Sequence, residues 1–371
     1  MNSQRTTTAT DGRIVSVDAL RGFDMFWIIG GHKIVPALLV LAFGPLPGWL
    51  AYQFEHPKWI GFSAWDIIMP LFLFIVGVAM PFSFAKRLER GDSKKALYAK
   101  IIRRTTVLFV LGMVAQGNLL EYDLSRLHVY CNTLQAIACG YLVAAIVMLN
   151  LRLRWQMLTT AVFLVGFWLL MVLVPTAGSV AGALEPNDNL AMHIDETILG
   201  RFRDGTTYTW ILSGLSFAAT VLLGVMAGHL LRSKRSPWMK VFWLMAAGGG
   251  CLAAGWIWGL WFPIIKHLFT SSMVLWAAGW CYLLLGLFYL TIDVLGFRKW
   301  AFPFVVIGMN AIAVYMATHV FDFRQIGDVF VGHLAPYFVD PYGDLLRNVA
   351  ALTAIWLILF YMVRKRTLIR V

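Results

Sequence analysis

The chain has 371 residues, of which 60% are hydrophobic and only 13% charged, with a mean hydropathy of +0.72. A soluble domain has roughly 45–50% apolar and about 25% charged residues, so a soluble fold is excluded and a polytopic helical membrane protein is expected. The formal charge of +12 would suggest nucleic acid in a soluble chain. Here it follows membrane orientation instead, and no nucleic-acid partner is expected.

Ten apolar segments follow one another, at 19–43, 61–85, 103–120, 132–150, 157–175, 209–231, 239–262, 273–294, 301–321 and 345–363. Each is about 18–25 residues long, enough for a helix to cross about 30 Å of hydrocarbon. The predicted fold is therefore all-α: one transmembrane bundle of about ten helices over 1–371. Residues 1–15 form a short cytoplasmic tail, polar and with no apolar run directly behind a basic start, unlike a cleaved signal peptide. One set of connections, with the two ends of the chain, holds 22 of the 31 Lys and Arg. The alternation predicts that both termini are cytoplasmic. Three connections on the other side are long (44–60, 176–208 and 322–344), and long connections on one face are where sites collect. The four cysteines form no CxxC pair and read as packing residues. The glycines at 248–250, with Gly255, read as a close helix contact.

Ionisable side chains inside membrane helices are costly and mark function by default. Asp18, Arg21 and Asp24 stand at the inner start of the first helix. Asp18 and Arg21, three apart, share a helix face, as a local anchor or as part of a phosphate site, and Asp24 is placed to share Arg21. His32 follows about three turns on. His56 stands before Pro57, outside the second helix, with Trp59 and Trp65 as interfacial aromatics. Asp66 is expected about five residues into that helix, facing the bundle interior with a partner. A histidine returning over the helix mouth is a plausible partner, because a carboxylate that orients imidazole is a recurring catalytic arrangement. Pro70 leaves the Asp66 carbonyl without its helical partner and predicts a bend. His319, Asp322 and Asn310 belong to the ninth segment, and Lys266 is among the eight basic residues of the outer side. No HExxH or acidic cage appears, so no metal is expected.

The stretches "RIVSVDALRGFDMFWIIGG" and "HPKWIGFSAWDIIMPLFLFIVGVAMPFS" resemble the heparan-α-glucosaminide N-acetyltransferase family of transmembrane acyltransferases. The shared pattern is S-x-D-x-x-R-G, then H-x-x-W-x-G, then D-x-x-x-P-x-F-x-F-x-x-G. It falls here on Ser16, Asp18, Arg21, Gly22, His56, Trp59, Gly61, Asp66, Pro70, Phe72, Phe74 and Gly77. "LQAIACGYLVAA", with Gln135 and Tyr141, and "FPFVVIGMNAIAVYM" extend the likeness over nearly the whole membrane region. The family pattern has Asn where this chain has His32, Gln-Arg at Gln135-Ala136, and an Asp-Pro-Glu-Gly-like element where "TTYTWILSG" stands.

The resemblance implies an acetyltransferase that uses cytosolic acetyl-CoA to acetylate an amine or hydroxyl beyond the membrane, on an amino sugar or glycan. His56 maps onto the family's catalytic histidine and Asp66 onto its intramembrane aspartate. Under this reading Arg21, Asp18, Arg103, Arg104, Gln135 and Asn310 serve acetyl-CoA, with Asn310 as an oxyanion donor. His32, Trp59 and Lys266 face the acceptor. The expected setting is a bacterial inner membrane with the active site on the periplasmic side, and related enzymes imply a homodimer. The alternative is a proton-coupled transporter or exporter of a small polar or saccharide substrate, in which the buried charges form a relay.

Overall fold

The computed structural model describes residues 14–176, 180–338 and 342–367. All but the end of the expected amino-terminal tail lies outside these residues. Each of the ten apolar segments is helical. They are α1 (Val15–Phe43), α2 (Ala64–Glu89), α3 (Lys94–Gln116), α4 (Thr133–Asn150) and α5 (Leu153–Leu173), then α6 (Gly214–Arg232), α7 (Pro237–Gly259), α8 (Ser271–Val294), α9 (Phe302–Met309 with Ala311–Val320) and α10 (Tyr342–Arg364). Among the described residues, eight are long and apolar enough to cross a membrane unaided.

The other two depart from the simple expectation of ten spans for identifiable reasons. Helix α9 bends by 73° at Asn310, which leaves helical geometry at φ −127° and ψ 32°. Helix α3 is 23 residues long, but Lys94, Lys95, Lys100, Arg103 and Arg104 fill its first half, so that half suits the polar interface more than the hydrocarbon. Helix α1 is also interrupted, by a wide turn over Trp27–Gly31 in which Gly30 departs from helical angles.

Helix α6 is the centre of the bundle. Of its apolar window 72% is buried, against 17% for α1 and α10. Helices α2, α4, α5 and α8 pack against it, and the more lipid-exposed helices lie outside them. A helix apolar all round belongs in such a position. In lipid no hydrophobic drive separates core from surroundings, so tight contact depends on small residues. At the α2–α6 crossing a Cβ on Gly77 would lie 2.0 Å from the Val221 carbonyl oxygen, and one on Gly224 would lie 2.0 Å from that of Phe74. The α1–α9 crossing repeats the device with Gly22 against Phe304 and Gly308 against Asp18. The run at 248–250 serves only in part: Gly248 and Gly255 meet α8, whereas Gly249 and Gly250 face open space.

At one end of the bundle the long connections form a cap over a second apolar cluster. Phe167 and Met171 of α5 meet Leu190 and Ala191 of the short helix Leu190–Leu199, with Phe262, Ile265 and Leu268 from the α7–α8 connection. A two-residue hairpin, β1 (Leu184–Glu185) with β2 (Asp188–Asn189), lies in the same cap. Gly224→Leu is expected to eliminate the monodisperse folded species in detergent, because backbone sits where the side chain would go. Gly249→Leu is expected to leave it intact. Size-exclusion chromatography and thermal melting of the two variants check this.

Candidate functional site

The site is organised by Asp66, whose side chain is fully buried. The chain enters α2 through a 3-10 turn, Ala64–Ile67, with Ser63 as N-cap. Asp66 is the third residue of that turn and its carboxylate closes a capping box. Its Oδ2 accepts the Ser63 backbone N–H at 3.0 Å and the Ser63 hydroxyl at 3.4 Å. The residue therefore lies at the helix mouth, shallower than the sequence spacing suggests. Pro70 then falls at the third position of the regular helix (Ile68–Glu89) and introduces no break there, since the first turn has no backbone acceptor for its missing N–H.

With Oδ2 spent on the cap, Oδ1 faces the site. It accepts from His56 Nδ1 at 2.7 Å and from Lys266 Nζ at 3.1 Å. The bond to Nδ1 places the ring proton there and leaves Nε2 with its lone pair. His56 is 40% exposed in its side chain against 13% for Lys266, so the imidazole, not the amine, presents itself to a ligand. Lys266 Nζ lies 3.2 Å and 3.4 Å from the two ring nitrogens. Burial pushes the Lys266 ammonium below its ordinary value, and the Asp66 carboxylate opposes that shift. One carboxylate thus serves both the Lys266 ammonium and the His56 ring N–H.

Two chain segments far apart in sequence are stitched to bring these groups together. Gly61 N–H donates to the Ile264 carbonyl at 2.9 Å, and Ile60 bridges Ile265. Gly61 has φ +133°, where a side chain would be strained. Behind the bridge Trp59 donates its indole N–H to the Leu184 carbonyl at 2.8 Å and stands edge-on to His267. His267 stacks on Tyr208, with ring centres 4.1 Å apart, and pairs with the Thr207 hydroxyl at 2.6 Å. Burial, then the positive charges of Lys266 and His56, lower His267 to about 4. The 203–211 segment is pinned in turn by Asp195, which accepts from Trp210 N at 2.7 Å and Ile211 N at 3.0 Å. Burial outweighs those two bonds and raises Asp195 to about 6.

Two cavities lie side by side in the bundle. One, of about 500 Å³, opens beside His56 and Lys266 and is lined also by Trp65, Gln116, His128, Asp204 and Tyr208. The other, of about 270 Å³, is lined by Arg21 and Arg104 and by apolar side chains of α2, α4 and α9. Thr133 lines both. Next to Thr133, Asn132 donates to the Gln116 side-chain oxygen at 2.5 Å and to the Tyr315 hydroxyl at 3.1 Å. Gln116 faces the first cavity and Tyr315 the second.

The remaining sequence candidates are placed less centrally. Arg21 pairs with Asp18 at 3.5 Å, and Arg104 lies over the Tyr141 ring at 4.6 Å. Arg103, one residue earlier and so about 100° round the helix, is exposed. Asp24 does not share Arg21: neither of its buried oxygens has a hydrogen-bond partner among the described residues. Gln135 is committed to the backbone, accepting from Cys131 N at 2.9 Å and donating to the Val129 carbonyl. Asn310 is buried at the α9 break, between cavity-lining Met309 and Ala311. His32 is separated from His56 by Trp65, whose ring centre is 4.9 Å from the former and 6.0 Å from the latter. It lines a neighbouring hollow with His319. Trp59 buttresses the site and is not among the cavity residues. Sequence reasoning missed Asn132, Gln116, Tyr315, His128 and Asp204. Only Asn132 carried a local signal, a cap residue directly before an apolar run.

Residues 13–250 match the family model described as heparan-alpha-glucosaminide N-acetyltransferase, catalytic. The chain is 24% identical over 379 aligned residues to heparan-alpha-glucosaminide N-acetyltransferase of Homo sapiens, covering 85% of this chain and 54% of that protein. It is 23% identical over 427 residues to the Mus musculus protein of the same name, covering 98% and 61%. The chain thus spans about half to three fifths of the length of these relatives. His56, Asp66 and Arg104 fall inside the matched region, and Lys266 and Asn310 beyond it. With its helices, its two motif blocks and this match, the chain is an integral, multi-pass membrane protein and belongs to the heparan-α-glucosaminide N-acetyltransferase family.

Proposed function

We propose that this protein transfers the acetyl group of acetyl-CoA to an amine or hydroxyl of a glycan-type acceptor held beside His56. The observation that carries the reading is the pair of cavities that share Thr133 in their linings, one with Arg21 and Arg104 and the other with His56. Acetyl-CoA enters from the Arg104 end, which is the cytoplasmic side by its basic connections. Arg21 and Arg104 meet its phosphates, and the thin pantetheine arm follows the apolar cavity toward Thr133. There the Tyr315 hydroxyl, held by the Asn132 N–H that it accepts, offers its O–H to the thioester oxygen, a role that Asn310 supports from the α9 break. The acceptor occupies the extracytoplasmic cavity. His56 Nε2 takes its proton as the acceptor nitrogen or oxygen bonds to the acetyl carbon. The carbon–sulfur bond then breaks and the CoA sulfur takes up a proton. Asp66 holds the imidazole in the required tautomer and stabilises its cation. Lys266 shares that carboxylate and offsets part of its negative charge. The relatives' names point to a terminal glucosamine as a first acceptor to try.

Turnover in nanodiscs, followed by release of free CoA thiol with glucosamine present, tests the reading. His56→Ala is expected to lower kcat about 10²–10⁴-fold, and Asp66→Asn about 10²-fold or more. Wild-type rates in His56→Ala would remove His56 from the mechanism. Arg104→Gln is expected to raise the acetyl-CoA concentration needed for thermal stabilisation about tenfold, while a shift equal to wild type would detach Arg104 from the nucleotide. His267, lowered to about 4, stays neutral in ordinary assay buffers. His267→Gln is therefore expected to leave the acid limb of the pH–rate profile unchanged.

A further inference from the structure

The acceptor cavity carries a carboxylate that the transfer reaction does not use. Asp204 lines the same space as His56. Its Oδ1 accepts the Thr206 backbone N–H at 3.0 Å and the Thr206 hydroxyl at 2.9 Å, which fixes the side chain and leaves Oδ2 open. Among the described residues no Lys or Arg forms an ion pair with it. The adjacent Arg203 turns away, to Glu196 at 3.6 Å and to the Thr206 carbonyl at 2.6 Å. The cation of this cavity, Lys266, is already joined to Asp66. A ligand therefore meets an uncompensated negative charge and no free positive one. The remaining lining suits hydroxyls and sugar rings. His128 has a buried Nδ1 with no partner among the described residues. Asn118 spends its amide N–H on the Arg126 carbonyl and keeps its oxygen. Trp65 and Tyr208 add aromatic surface to the lining. On the adjoining loop Arg126 is paired with Glu121 at 3.2 Å and Asp123 at 4.0 Å, so that rim too presents no net positive charge.

We propose that Asp204 makes this pocket selective for uncharged or amino saccharides and excludes sugars bearing sulfate or carboxylate groups. The assignment rests on the acetyltransferase reading for the role of the pocket. Asp204 accepts from the sugar's hydroxyls while the reacting amine or hydroxyl faces His56. A cavity of about 500 Å³ holds a ligand of one or two sugar units. An anionic substituent there sets like charges together, and repulsion of the wrong ligand is one of the ways in which specific sites discriminate.

Binding of glucosamine and of glucosamine 6-sulfate to the purified protein, read by thermal shift without acetyl-CoA, tests the proposal. Wild type is expected to bind glucosamine about tenfold or more tightly than the sulfate. Asp204→Asn is expected to narrow that ratio and Asp204→Lys to invert it, with CoA-induced stabilisation of each variant reporting that it is folded. If Asp204→Lys does not fold, the Asp204→Asn ratio decides. Equal binding of the two sugars by wild type, no binding of glucosamine, or an unchanged ratio in the folded variants overturns the proposal. A preference that depends on Asp204 without any acetyl transfer would instead overturn the transferase reading and leave the selectivity in place.

Discussion

The bond from His56 Nδ1 to Asp66 Oδ1, 2.7 Å long, is the interaction on which the functional end of this molecule depends. A fully buried carboxylate must be matched. Asp66 is matched three ways: by the Ser63 cap, by His56 and by Lys266. Each partner lies on a different stretch of chain, so satisfying one charge draws together the start of α2, the loop before it and the α7–α8 connection. The same bond sets the imidazole tautomer. Folding and reactivity therefore make one demand here.

Behind this end, the bundle provides a passage without losing its packing. The central helices approach closely because Gly77, Gly224, Gly22 and Gly308 let backbone meet backbone. Elsewhere the structure gives way. Helix α9 breaks at Asn310 and α1 widens at Trp27–Gly31. Residues next to both irregularities line cavities: Met309 and Ala311 the one with Arg104, Ile28 the one with His56. Non-helical backbone at membrane depth is tolerated where it is buried or faces a cavity. The polar junction of Asn132, Gln116 and Tyr315 follows the same logic, since each of these side chains finds a partner among the others.

Much of this was legible in the chain. Hydrocarbon thickness sets helix length, so ten apolar runs became ten helices. Asp66, charged within an apolar run, had to have a partner, and His56 lay within reach of its helix mouth. Lys266 was different. It stands 200 residues beyond Asp66 and was expected to face the acceptor, but its bond to Asp66 was not legible, because nothing local ties the α7–α8 connection to His56. Gln135, which the family resemblance assigned to acetyl-CoA, closes the loop that precedes its own helix. Gly249 and Gly250 misled likewise, since composition does not tell which face of a helix meets a neighbour.

The sequence by itself determined a multi-pass helical membrane protein and the need of the buried Asp66 for a partner, with a histidine as the candidate. These follow from periodicity, length and the cost of charge in hydrocarbon, all of which are local. Only the tertiary structure decided that Lys266 shares the carboxylate, that Trp65 separates His32 from His56, and that two cavities share Thr133 in their linings. It also decided that Asp204 lines the same cavity as His56. Those are relations between segments far apart in the chain. They depend on helix crossings that close glycine contacts set, and no window of sequence contains both partners.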